Sequence, residues 1–177
     1  ELLERERPDW LVLYGDVNST LAASLAGAKR GIRMAHVEAG VRSGDRGQPE
    51  EINRIVTDRL ADLLLAPTRQ AVQQLRLEGE PEHEIAFVGN VMVDALLQAR
   101  ERARASGARE RLGVTSDAVI VTLHRPSNVD DGVRLARIVR ALADLSLRHP
   151  VLFPVHPRTR AALEKLRIDT ARIRFVA

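Results

Sequence analysis

The 177-residue chain contains no cysteine, which excludes disulfides and thiolate chemistry and leaves the redox state of its compartment unmarked. No apolar run approaches the roughly 20 residues that a membrane helix needs, and no stretch has the layout of a signal peptide. These absences predict a cytoplasmic protein with no membrane partner. Positive charge is not concentrated either: 27 basic side chains, nearly all arginine, face 24 acidic ones for a net charge of +3. The densest basic stretch, ARERARASGARERLG, is interrupted by Glu101 and Glu110 and reads as a solvated helix and linker, so no nucleic-acid partner is expected. The five histidines show no paired ligand spacing, which argues against zinc. GxGxxG and the P-loop are both missing, and with them the ordinary dinucleotide and nucleoside-triphosphate fingerprints. Internal repeats and low-complexity segments are absent as well.

What is present is a chain that is 45% hydrophobic, enough for one sizeable core or two small ones. Short apolar runs alternate with helical patterns from end to end. Strands are expected at DWLVLYGD, IRMAHVEAG, LLLAP, IAFVGN, AVIVTLHR, VLFPVHP and IRFVA. Helices are expected at NSTLAASLAGAKRG, from Pro49 to Ala61, and at TRQAVQQLRLEG, VMVDALLQARERARA, GVRLARIVRALADLSLRH and TRAALEKLR. Strands of about five residues separated by helices of ten or more imply βαβ units, right-handed crossovers and parallel sheets covered on both faces. A polar break at 105–117, with Ser106, Gly107, Gly113 and Ser116 in charged surroundings, divides the pattern. It predicts three regions: 1–104, a linker at 105–117, and 118–177. Neither flanking region looks complete, and both ends of the sequence look cut.

In a parallel α/β sheet, ligands gather at the carboxyl ends of the strands. Polar residues recur there: Gly15-Asp16, Glu38, Gly89-Asn90 and His124-Arg125. Asp16 has two readings. It caps the following helix, as a lone aspartate after a strand commonly does, or it serves separately while Asn18 and Ser19 cap. His124 and Arg125 suit phosphate through a guanidinium fork and an imidazole, whereas His156 is readable as a plain strand-end residue.

The segment HVEAGVRSGDRGQPEEINRIVTD places Glu38, Asp45 and Glu50 within thirteen positions. Proline at the first helical position and acids in the first turn already make PEEINR a good helix start. At about 100° per residue, Ile52, Ile55, Val56 and Leu60 form an apolar stripe. Glu50, Asn53, Arg54 and Thr57 fall on the opposite face, with Glu51 turned away from it. That face is either a surface ion pair between Glu50 and Arg54 or the polar wall of a pocket.

Taken together, GDVNSTLAASLAG, HVEAGVRSGDRGQPEEINRIVTD, VGNVMVDAL, TLHRPSNVDD and FPVHPRTR, in this order and spacing, resemble the non-hydrolysing UDP-N-acetylglucosamine 2-epimerases. The resemblance implies an α/β, GT-B-like fold of two Rossmann-like parallel-sheet domains, both incomplete here, with the active site in the cleft between them. The 1–104 region then corresponds to the later part of the N-terminal domain and 118–177 to the beginning of the C-terminal one. It further implies that Asp16, Glu38 and Glu50 are acid/base candidates, that Arg54 lies close to the substrate, and that His124 contacts the diphosphate. His156, together with Arg125, corresponds to positions near a second UDP-sugar site. Glu51 and Asp45 receive no role. The implied reaction is inversion at C2 of UDP-N-acetylglucosamine by elimination and re-addition of UDP, for cell-surface polysaccharide, with no metal or nicotinamide cofactor and in a homodimer. A related epimerase of a UDP-2,3-diacetamido-hexuronic acid, a GT-B glycosyltransferase and a non-catalytic nucleotide-sugar-binding module remain alternatives. The family's N-terminal GTRPE-type phosphate loop and its later glycine-rich segment with paired glutamates have no counterpart in the sequence. Little turnover is therefore expected from these 177 residues alone.

Overall fold

The computed structural model describes residues 1–114, 117–166, 170 and 172–176. Thr115 and Ser116 of the expected linker, Arg167 at the end of the last expected helix, and Ala177 at the end of the last expected strand lie outside the described residues. The chain divides into two compact units, Glu1–Arg100 and Glu101–Ala177.

The first unit begins with a short helix, α1 (Leu2–Glu6), followed by β1 (Trp10–Tyr14), α2 (Asn18–Ala28), β2 (Arg33–Val37), α3 (Pro49–Leu60) and β3 (Leu63–Ala66). Then come α4 (Arg69–Leu77), a 3-10 turn at Glu82–Glu84, β4 (Ile85–Phe87) and α5 (Val91–Ala105), which runs past the division at Arg100. The four strands form one parallel sheet in sequential order, β1-β2-β3-β4. Register pairs Leu13 with His36, and His36 in turn with Leu64. Helices enter for local reasons. Thr68 caps α4 by accepting from the Ala71 amide at 3.0 Å, a device contributing about 1 kcal/mol, and Pro49 opens α3, where its missing N–H costs nothing. The core packs Leu13, Met34 and Leu64 of the sheet against Ala71 and Leu75 of α4, with Ala39, Ala61 and Ala66 between.

The second unit contains α6 (Ala108–Arg111), β5 (Val119–Ile120), α7 (Pro126–Val129), α8 (Gly132–Leu145), β6 (Val151–Pro154), α9 (Pro157–Leu163) and β7 (Ile173–Val176). Its sheet is parallel in the order β5-β6-β7. The strand expected over AVIVTLHR is short because only its first residues find partners. After Ile120 the ladder continues for one bond, from the Val121 amide to the Leu152 carbonyl at 2.9 Å. The helix expected from Gly132 begins there as α8, because Asp131 caps it by accepting from the amides of Val133 and Arg134, and the short α7 before it was not expected. Leu135, Val139, Val151, Phe153, Val155 and Ile173 form the core, where Phe153 and Phe175 stack with centroids 5.7 Å apart. Among the described residues no helix is long and apolar enough to cross a membrane.

Gly40, in the turn after β2, is the tightest point of the first core. A Cβ there would lie 2.4 Å from the Ala71 carbonyl oxygen and 2.8 Å from Leu75 Cγ, and its φ is +77°. Gly40→Ala therefore combines left-handed strain of about 1–2 kcal/mol with overpacking of about 1–3 kcal/mol. Gly31→Ala has similar strain at φ +67° with open space around it. Urea denaturation should show Gly40→Ala destabilised by about 1 kcal/mol or more beyond Gly31→Ala; equal midpoints would contradict the close approach of α4 to this turn.

Candidate active site

Two turns leave the sheet side by side. After β1 the chain turns through Gly15 and Asp16, and the Gly15 amide donates to the Val37 carbonyl of β2 at 3.2 Å. After β2, Glu38 adopts φ 76°, a left-handed conformation that a non-glycine residue takes only at a cost. The amides of Glu38 and Ala39 both donate to the Leu65 carbonyl, at 3.2 and 3.3 Å. This twist brings the half-buried Glu38 side chain over the neighbouring turn. Its Oε2 lies 3.8 Å from where a side chain on Gly15 would begin. Asp16 and Glu38 thus sit on adjacent turns at the carboxyl edge of the sheet.

Asp16 does not cap α2: Val17 occupies the N-cap position, and no side chain bonds there. Its carboxylate is instead paired with Arg54 Nη2 of α3. Asn53, one residue earlier, donates to the Asp16 carbonyl at 2.7 Å and to Asn18 Oδ1 at 3.1 Å. Arg54 was expected on a face with Glu50. Its second partner is Glu51, whose Oε2 lies 3.1 Å from Nη1.

Helix α3 is turned differently from the sequence expectation. The residues it buries are Glu51, Asn53, Thr57 and Asp58, whereas Ile52, Ile55, Val56 and Leu60 are only half-buried. Glu51, expected to face away, is 2% exposed. Its carboxylate accepts from the Ser43 and Gly44 amides at 2.8 and 2.9 Å and from the Ser43 hydroxyl at 3.0 Å. The physical reason for the difference is partner supply: each buried polar group on α3 except the Thr57 hydroxyl has a bond, so burial is not penalised as periodicity assumes. Glu50 is exposed on the first turn, and its side chain makes no hydrogen bond or ion pair among the described residues.

Beneath these turns lies a charged chain that the sequence reading did not single out. His36 in β2 is fully buried. Its Nε2 lies 2.9 Å from the Gly15 carbonyl, and its Nδ1 lies 2.5 Å from Asp58 Oδ1 of α3. The other oxygen of Asp58 accepts from the Gly40 amide at 3.0 Å and from Arg42 Nη2 at 2.7 Å. Arg42 then forks onto Glu78, with Nε and Nη2 at 2.9 and 2.7 Å. Burial alone would lower the Arg42 pKa, but Glu78 and Asp58 together hold it above the ordinary arginine value. Glu78 is likewise raised by burial and then pulled below the usual glutamate range, mainly by Arg42 and also by Gln74. A polar signal did exist: His36 interrupts an apolar strand, and Glu51, Arg54 and Asp58 repeat at i, i+3 and i+7.

In the second unit, His124 and Arg125 are exposed between β5 and α7. The Leu123 carbonyl before them accepts from the buried Thr159 hydroxyl of α9 at 2.5 Å. His156 is the N-cap of α9, where its Nδ1 accepts from the Arg158 amide at 3.3 Å. The plain strand-end reading of His156 therefore has a definite content. Arg158 pairs with Asp130 through a fork whose Nε bond is 3.0 Å. Among the described residues no three His, Asp or Glu side chains are grouped as a metal site requires.

In parallel α/β units ligands gather at the carboxyl ends of the strands, and it is there that the turns carrying Asp16 and Glu38 stand, with Arg54 of α3 reaching Asp16. The family model described as UDP-N-acetylglucosamine 2-epimerase matches residues 1–177. A UDP-2,3-diacetamido-2,3-dideoxy-D-glucuronate 2-epimerase of Pseudomonas aeruginosa is 43% identical over 171 residues, covering 94% of this chain and 47% of that protein. A UDP-N-acetylglucosamine 2-epimerase of Methanocaldococcus jannaschii is 39% identical over 174 residues, covering 95% and 48%. The crystal structure of the Methanocaldococcus jannaschii UDP-GlcNAc 2-epimerase in complex with UDP-GlcNAc and UDP aligns with TM-score 0.88 at 38% identity, over 99% of this chain and 51% of that one. The UDP-GlcNAc-bound enzyme of Neisseria meningitidis aligns with TM-score 0.87 at 26% identity, over 99% and 50%. The chain belongs to the UDP-N-acetylglucosamine 2-epimerase family and has its GT-B-like α/β fold. It spans about half the length of the curated relatives it matches.

Burial raises the Glu51 pKa, but the Ser43 and Gly44 amides, the Ser43 hydroxyl and Arg54 together bring it below the ordinary value of 4.5. A depressed folded-state value stabilises the fold fully above the unfolded value and loses that contribution as pH falls through the folded one. In an NMR titration, the Ser43 and Gly44 amides should leave their hydrogen-bonded shifts with a midpoint below pH 4.5. Movement centred above that pH would show that the carboxylate is not what holds them.

Proposed function

We propose that this chain is part of a UDP-N-acetylglucosamine 2-epimerase that removes the C2 proton with loss of UDP from C1, then adds UDP back at C1 while a proton returns to C2 on the opposite face. The observation that carries the reading is the pairing of Asp16 and Glu38 on adjacent strand-end turns, with Arg54 on Asp16. Inversion at C2 needs a base on one face and an acid on the other, because the same proton-bearing carbon loses a proton and regains one from the other side. Carboxylates on two separate turns meet that requirement. Glu50, exposed on the first turn of α3, is the third acid/base candidate and is free of competing partners among the described residues. Arg54 holds a charged position beside Asp16 in readiness for substrate.

Departure of UDP leaves negative charge on the diphosphate, which cationic donors must stabilise. We assign that role to His124, with Arg125 and His156 as further UDP-sugar contacts. The exposure of His124 and Arg125 supports it. His156 already spends Nδ1 on the α9 cap and has Nε2 to offer. The complete enzyme is expected to be a homodimer and to act in the cytoplasm on precursors of cell-surface polysaccharide, with no cofactor.

A second reading concerns the substrate alone. The 43% identity to a UDP-2,3-diacetamido-2,3-dideoxy-D-glucuronate 2-epimerase favours a diacetamido-uronic acid in place of N-acetylglucosamine. Both substrates offered to the complete enzyme, with products followed by NMR in D2O, separate the two. Deuterium should appear at C2 of the epimerised sugar, and Glu50→Gln should lower turnover by about 100-fold or more while UDP-sugar still binds. Wild-type rates in that variant would remove Glu50 from the mechanism, and inertness of the wild type toward both sugars would overturn the epimerase reading.

A further inference from the structure

We propose that the buried pair His36–Asp58 is a positioning device that fixes the turns carrying Asp16 and Glu38 relative to each other. This deepens the epimerase reading and rests on it for the kinetic part of its test.

The Gly15 carbonyl can only accept, so the Nε2 of His36, 2.9 Å away, carries a proton and donates it. That bond is made to the residue directly before Asp16. The opposite edge of the ring meets Asp58 Oδ1 at 2.5 Å, and one proton lies between them whichever atom holds it. The remaining oxygen of Asp58 takes the Gly40 amide at 3.0 Å, two residues past Glu38. A single imidazole and a single carboxylate thus span from the exit of β1 to the exit of β2, and α3 supplies the carboxylate. Arg42 braces Asp58 from behind at 2.7 Å and is itself held by Glu78.

Stability alone is a poor reason for this arrangement. The β2 positions around His36, namely Met34, Ala35 and Val37, are buried and apolar, and another apolar residue would suit the row. Replacing a buried charged network with well-packed apolar groups is often neutral or stabilising, whereas its directional bonds specify geometry. The geometry specified here belongs to the two turns on which the proposed acid/base groups stand. Neither His36 nor Asp58 reaches solvent, with exposures of 0% and 1%, so they act through the backbone and do not touch substrate themselves.

The test uses His36→Phe, which keeps a ring and deletes the donor, and His36→Gln, whose amide N–H can still reach the Gly15 carbonyl. In the complete enzyme, His36→Phe should lower kcat by about 100-fold, the cost of a displacement near 1 Å at reacting groups, with KM changed by less than about threefold. His36→Gln should recover at least about tenfold of that loss. In its crystal structure, His36→Phe should show the Gly15 carbonyl rotated and the Asp16–Arg54 pair opened. A kcat within about threefold of wild type, or an undisturbed Asp16–Arg54 pair, would overturn the proposal. If the wild type does not epimerise at all, the functional reading fails, and the crystal structure of the variant still decides the positioning role. Should His36→Phe not fold, Asp58→Asn is read by the same kcat and KM split and by the same pair in the crystal.

Discussion

Helix α3 turns its most polar edge into the protein, and the first unit depends on the bonds made there. Arg54 and Asn53 reach the Asp16 turn, Asp58 reaches the Gly40 turn and His36, and Glu51 reaches the Ser43–Gly44 loop. Each of these segments is irregular backbone, which a sheet cannot hold by its ladder alone. Buried charges are costly unless paired, so the cluster is either fully connected or strongly destabilising. Every charged member of the cluster is paired, the buried Thr57 hydroxyl alone lacking a bond among the described residues, and the pairing converts one helix into a common support for three loops.

That same helix marks where sequence reading stops working. The alternation of strands and helices was legible because apolar periods of two and 3.6 are local properties, and β1 to β4 with α2 to α5 fall where those periods lie. The side of α3 that faces inward was not legible. Periodicity ranks Ile52, Ile55, Val56 and Leu60 above Glu51, Asn53, Thr57 and Asp58, since it weighs transfer from water and ignores partners. The partners, the Ser43 and Gly44 amides, the Asp16 carbonyl and His36, come from other segments and are fixed only once the chain has folded.

The candidate site was legible in a different sense. Motif order pointed to Asp16, Glu38, Arg54 and Glu50 together, and the structure adds that Asp16 bonds Arg54 and that Glu38 lies beside Gly15 in a left-handed turn. The cap reading of Asp16, plausible from its position after a strand, fails because α2 starts at Val17 without a side-chain cap. His156 is the converse: a bland reading gained substance, since its ring caps α9. His36 was passed over because a lone histidine in a strand looks like core until its two acceptors are known.

On the proposed function, the turns held by α3 present Asp16 and Glu38 to the reacting carbon of a nucleotide sugar. A crystal structure of the complete enzyme with UDP-N-acetylglucosamine and UDP bound tests it most directly. C2 of the sugar should lie within about 3–3.5 Å of carboxylate oxygens from both residues, approached from different sides. A sugar ring seated away from both carboxylates, with the Asp16–Arg54 pair facing only solvent, would contradict it.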